Sequence, residues 1–172
     1  MPYNLHPIFV HFPIALLFVY SFIKIIPFEK WFPNISWRQT ERMFLLFGLL
    51  GAFLALYTGE TAEYLFKSDR QLVDMHSTFA TVSTWIYGLL LLGEIMAVFN
   101  ASVLVQGIQS LWFKKLLILK QRILTHRIFS KVLALLGLVA ISVTGLLGGV
   151  MVYGTSADPM AGIVLKLLGM NY

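Results

Sequence analysis

The stretch Val132-Leu-Ala-Leu-Leu-Gly-Leu-Val-Ala-Ile-Ser-Val-Thr-Gly-Leu-Leu-Gly-Gly-Val-Met-Val-Tyr-Gly-Thr-Ser-Ala157 contains no charged residue. About 20 mostly apolar residues are enough for an α-helix to cross the hydrocarbon core of a bilayer. This run therefore reads as a membrane span. Three earlier stretches read the same way: 7–27, uncharged until Lys24; 41–59, entered through Trp37–Arg42; and 75–99, with Glu94 near its far end. The composition agrees. Of the 172 residues, 58% are hydrophobic and 12% charged, and mean hydropathy is +0.79. Soluble domains carry about 25% charged residues, so this chain cannot cover a water-facing surface and needs lipid around it. The fold expected is all-α: a polytopic membrane protein forming an antiparallel four-helix transmembrane bundle, one domain over 1–172, with a retained first helix in place of a cleaved signal peptide.

Charge sets the orientation. Lys24, Lys30, Arg38 and Arg42 flank the first connection, and Lys114, Lys115, Lys120, Arg122, Arg127 and Lys131 the third; the opposite side holds Lys67, Arg70 and Lys166. The positive-inside rule puts the two basic connections in the cytoplasm and both termini outside. The net charge of +5 follows from this topology, and no aromatic-interleaved basic patch points to nucleic acid. The segment 100–131 mixes apolar residues with Lys and Arg, as a helix lying among headgroups does. The tail 159–172 has similar character on the other side and is too short to span.

Small residues mark the packing faces. Gly48, Ala52, Ala55 and Gly59 share one face of span 2; Gly145 and Gly149 form one row in span 4, and Ala140, Thr144 and Gly148 a second. Such rows let helices approach closely in lipid, or leave room for a flat cofactor.

The topology gathers ionisable residues at the outer end: His6 and His11 at the start of span 1, Glu60 and Glu63 at the end of span 2, Asp74 and His76 at the start of span 3. His126 stands alone at the other end. Imidazole ligates haem iron, zinc and copper. His11 and His76 are the preferred axial pair for a haem, with His6 as substitute. With no cysteine in the chain, such a haem would be b-type. A zinc- or copper-type ion is the alternative, held by His6, His11 and His76 with Asp74, Glu60 or Glu63. A cofactor-free accessory subunit of a larger respiratory or photosynthetic complex is the third reading. His6 and His11, five residues apart, stand about 140° apart on a helix. They share a ligand face only if the first turn is irregular, which Pro7 and Pro13 would allow. No H-E-x-x-H motif and no nucleophile–base set favours an enzyme.

His6-Pro-Ile-Phe-Val-His-Phe-Pro-Ile-Ala-Leu-Leu, Thr58-Gly59-Glu60, His76 and the run Gly148 to Tyr153 together resemble the domain of unknown function 2231 family of small bacterial membrane proteins. The resemblance spans about residues 5–157. It implies the four-helix fold, the bacterial inner membrane and, because the domain is sometimes fused to Rieske or cytochrome c modules, a redox setting with other membrane or redox subunits as partners. The chain departs from the family where helix 1 ends Ser-Phe-Ile-Lys-Ile-Ile-Pro, in Gly154-Thr-Ser after Tyr153, and in the long basic segment 101–127. Ligand roles are not carried to those positions.

Overall fold

A computed structural model of the chain describes residues 6–65, 69–98 and 111–170. Its helices are α1 His6–Ile25, α2 Trp37–Leu65, α3 Arg70–Val98, α4 Leu111–Leu124, α5 Arg127–Tyr153 and the short α6 Ala161–Leu167. Four of them, α1, α2, α3 and α5, are long and apolar enough to cross a membrane.

Local chemistry sets the helix ends. Pro7 occupies the first turn of α1, where a missing N–H costs nothing, and Pro27 follows the helix, where the preceding residue is pushed out of helical geometry. Asp69 caps α3: its Oδ1 accepts the backbone N–H of Gln71 at 2.8 Å and of Leu72 at 3.3 Å, satisfying donors that have no intrahelical partner. Gly154, at φ 74°, ends α5 while its N–H still reaches the Val150 carbonyl; only glycine adopts that conformation cheaply.

α1 packs on α2 and α5, and α3 packs on the same two helices. The four spans thus form a square in which α1 and α3 face each other across one diagonal. Neighbours run antiparallel. Gly59, Gly48 and Glu41 of α2 meet His6, Leu17 and Lys24 of α1, so each step along one helix is matched by an equal step back along the other. Gly148 and Gly137 of α5 meet His76 and Tyr87 of α3 in the same way. The centre holds Leu17, Tyr20, Leu45, Leu49, Tyr87, Leu90, Ala134 and Ile141. The outward faces are apolar too: Phe53, Trp85, Leu135 and Val139 are all exposed. A helix apolar all round is one surrounded by lipid or protein.

The close approaches fall partly where the small-residue rows predicted. A Cβ on Gly48 would stand 2.7 Å from the Leu17 side chain, and one on Gly137 2.9 Å from Tyr87 Cζ. The row Ala140, Thr144 and Gly148 faces inward, with Ala140 and Thr144 buried. The row Gly145–Gly149 does not pack as expected. A Cβ on Gly149 would meet nothing within 4 Å, and one on Gly145 only Ile14, at 3.9 Å. One helix face can be pressed on its neighbours, and the alternative row, about 100° around the helix, took that place.

α4 carries exposed Trp112, Ile118, Leu119 and Ile123 together with exposed Lys115, Lys120 and Arg122, the composition of a helix at a membrane surface. The rest of the expected interfacial segment, 100–110, lies outside the described residues, as do Lys67 in the second connection and the last two residues. The tail forms a cap: Ala161, Leu165 and Met170 are buried against Leu72, Leu147 and Val150. They pack on α3 and α5 at the end of the bundle that carries most of the histidines.

Candidate functional site

His6 starts α1, and His76 lies in the second turn of α3. The diagonal packing turns both into the bundle, where their ring centroids are 6.4 Å apart with planes at 86°. Each ring rests on a glycine of one of the other two helices. A Cβ on Gly59 of α2 would stand 3.3 Å from His6 Cε1, and one on Gly148 of α5 3.3 Å from His76 Cε1. The small residues therefore seat the imidazoles.

Hydrogen bonds fix the rings. His76 Nδ1 lies 3.0 Å from the Thr144 carbonyl oxygen. A carbonyl only accepts, so Nδ1 carries the proton and, in the neutral ring, Nε2 keeps its lone pair. An imidazole held in this way by a backbone carbonyl is the usual second-layer support of a metal-ligating histidine. His6 Nδ1 lies 3.1 Å from Thr58 Oγ1, whose hydroxyl proton is directed to the Leu54 and Ala55 carbonyls.

The structure does not bring His11 to this pair. α1 is helical from His6 onward, so the angle between positions 6 and 11 holds. His6 turns inward and His11 outward, exposed, with its Nδ1 bonded to the Pro7 carbonyl. The two prolines leave the first turn regular. Pro13 instead packs on Gly51, where an added Cβ would meet its ring at 3.2 Å. The carboxylates stay apart as well. Glu60, Glu63 and Asp74 are exposed, and among the described residues no three His, Asp or Glu side chains gather closely enough to hold a metal ion. Helix periodicity explains this, since loop-end acids on the outer faces gain hydration that the bundle interior would remove. His126 is exposed before α5, at the opposite end.

That opposite end holds a cluster that the sequence reading did not single out. Lys24 Nζ lies 2.8 Å from Glu41 Oε2 and 3.2 Å from Glu94 Oε1. Arg42 Nε is 3.1 Å from Glu94 Oε2, and Arg38 Nε 3.9 Å from it. Lys24, Glu41 and Glu94 are each no more than 15% exposed at the side chain. The signal was available: Glu94 follows His76 by five helical turns and so shares its inward face, as Lys24 shares that of His6. Between the two ends, Tyr87 Oη lies 2.8 Å from Ser21 Oγ, which donates to the Leu17 carbonyl. Tyr87 therefore donates to Ser21. The Tyr20 hydroxyl is buried with no hydrogen-bond partner among the described residues.

Four long apolar helices with lipid-suited outer faces, closing on ionisable groups at both ends, define an integral membrane protein of the helical-bundle class. More particularly, the chain belongs to the DUF2231 family, described as a predicted membrane protein, whose family model matches residues 2–158. Comparison with curated proteins and with solved structures found no match.

Proposed function

We propose that the histidine end is a haem b site and that the protein serves membrane electron transfer, with His6 and His76 as the axial pair. The observation carrying this reading is the meeting of two imidazoles from diagonally opposed helices, each seated on a glycine of a third or fourth helix. Bringing two imidazoles together inside an apolar bundle costs desolvation that their edge-to-face contact offsets only in part. The donor set fits a bis-imidazole haem: His76 presents Nε2 because Thr144 holds Nδ1, and His6 is oriented through Thr58. A zinc- or copper-type ion would need further ligands, and Glu60, Glu63 and Asp74 stand exposed away from the pair. When bound, a haem supplies reversible one-electron chemistry. The protein's own part is to orient two imidazoles, with the α6 segment packed on Leu72, Leu147 and Val150 at the same end.

The Lys and Arg distribution supports a periplasmic location for this end in a bacterial inner membrane. Electrons would then be exchanged with periplasmic or membrane redox subunits. Reporter fusions after Tyr172 should read periplasmic, and fusions near Lys120 cytoplasmic; the reverse pattern would move the site to the cytoplasmic face.

The binding test is an absorption spectrum of the purified chain and four single variants. His6→Ala and His76→Ala should each lose the haem band, while His11→Ala and His126→Ala should keep it. Loss in His11→Ala with retention in His6→Ala would contradict the assignment.

A further inference from the structure

We infer that the basic end carries a binding site for the phosphate-bearing head group of an anionic phospholipid. A cavity of about 410 Å³ opens there between the end of α1, the start of α2 and the α4–α5 junction. It contains four cations, Lys24, Arg38, Arg127 and Lys131, and three carboxylates, Glu29, Glu41 and Glu94. The carboxylates are already engaged. Lys24 bridges Glu41 and Glu94, Arg42 adds a second close contact to Glu94, and Arg127 Nη2 holds Glu29 at 2.9 Å.

Arg38 and Lys131 are left as the surplus. Among the described residues Arg38 makes only the long 3.9 Å approach to Glu94, and it is 65% exposed at the side chain. Lys131 Nζ donates to the Ile25 carbonyl at 2.7 Å, anchoring it to the C-terminal end of α1. An ammonium has three donors, so Lys131 has two more to offer. Among the described residues no carboxylate lies within salt-bridge distance of it. A fixed ammonium and a planar guanidinium at one cavity suit phosphate oxygens.

The position fits a lipid. The cavity lies at the end of the apolar spans, where headgroups begin. Trp37 lines it and stacks on Phe28 at 5.2 Å between ring centroids, with exposed Trp31 beside them; such aromatic residues are enriched at that level. Exposed Lys30, Lys120 and Arg122 add positive charge at the same end. Basic pockets between spanning helices are a recurrent way to hold anionic headgroups. This inference is independent of the haem reading.

The test uses the full chain in detergent, titrated with phosphatidylglycerol, phosphatidylcholine or inorganic phosphate, with bound lipid counted by native mass spectrometry. Phosphatidylglycerol should bind at least about tenfold more tightly than phosphatidylcholine. Arg38→Gln, an exposed and structurally safe change, and Lys131→Ala should each weaken it about fivefold or more. Lys115→Ala, on the surface of α4, should not. Equal binding of both lipids, an equal loss in Lys115→Ala, no loss in Arg38→Gln, or inorganic phosphate displacing the lipid at equal concentration would each overturn the assignment.

Discussion

The two ends of the bundle are built alike and resolved differently. At each end α1 and α3 present one ionisable residue to the shared interior: His6 and His76 at one, Lys24 and Glu94 at the other. Within each helix the separation is five turns, about 27 Å at 1.5 Å per residue, close to the thickness of the hydrocarbon core. At the basic end the partners carry opposite charge and meet at 3.2 Å, so Coulomb attraction and hydrogen bonding account for the contact. At the histidine end two like imidazoles meet, with glycines where bulkier residues would keep them out. One end explains its own arrangement. For the other, the proposed account is a ligand held by both rings.

The comparison can be broken in several ways. The largest effect expected is at the histidine end, where His76→Ala should remove the proposed haem entirely while the bundle stays assembled, measured as loss of the visible band with an unchanged size-exclusion profile. At the basic end Lys24→Met strands Glu41, while Glu94 keeps Arg42, and should lower stability by about 2 kcal/mol, below the full cost of breaking a buried pair because water reaches this end; thermal unfolding in detergent measures it. If Lys24→Met also removed the cofactor band, the two ends would not be separate sites.

Packing gives the next contrast. Gly137→Ala forces a methyl against the Tyr87 ring and should cost about 1–3 kcal/mol, whereas Gly149→Leu, on open space, should leave the melting temperature almost unchanged. The smallest effect concerns the two central tyrosines. Tyr87→Phe deletes a bond to Ser21 and should cost about 1 kcal/mol. Tyr20→Phe deletes a buried hydroxyl with no partner among the described residues and should be neutral or slightly stabilising. A larger loss at Tyr20 than at Tyr87 would mean that the Tyr20 hydroxyl is engaged by an ordered water.

Much of the fold was legible because apolar length alone identifies a span. The boundaries moved only where composition is ambiguous. α2 continues past Gly59 to Leu65 because that glycine seats His6 and does not end the helix. α5 begins at Arg127 because a span can start with basic residues at headgroup level. The gathering of histidines at one end was legible, and which two of them meet was not. His11 stands in the more prominent His-Phe-Pro motif, but the helical angle already separated it from His6, and a regular first turn decides between them. Which of two small-residue rows packs inward depends on a rotation of α5 that no local residue sets. The Lys24–Glu94 pair needed the register between diagonal helices, which appears only when inward positions are followed over five turns.

The central claim is that the imidazole pair exists to hold a ligand, and the most direct test is a reduced-minus-oxidised spectrum of the full chain purified from haem-sufficient cells. The account predicts a bis-imidazole haem b signature at about one haem per chain, absent from the His6→Ala and His76→Ala variants. A protein that assembles normally, shows no Soret band as purified and takes up no added haem would contradict it.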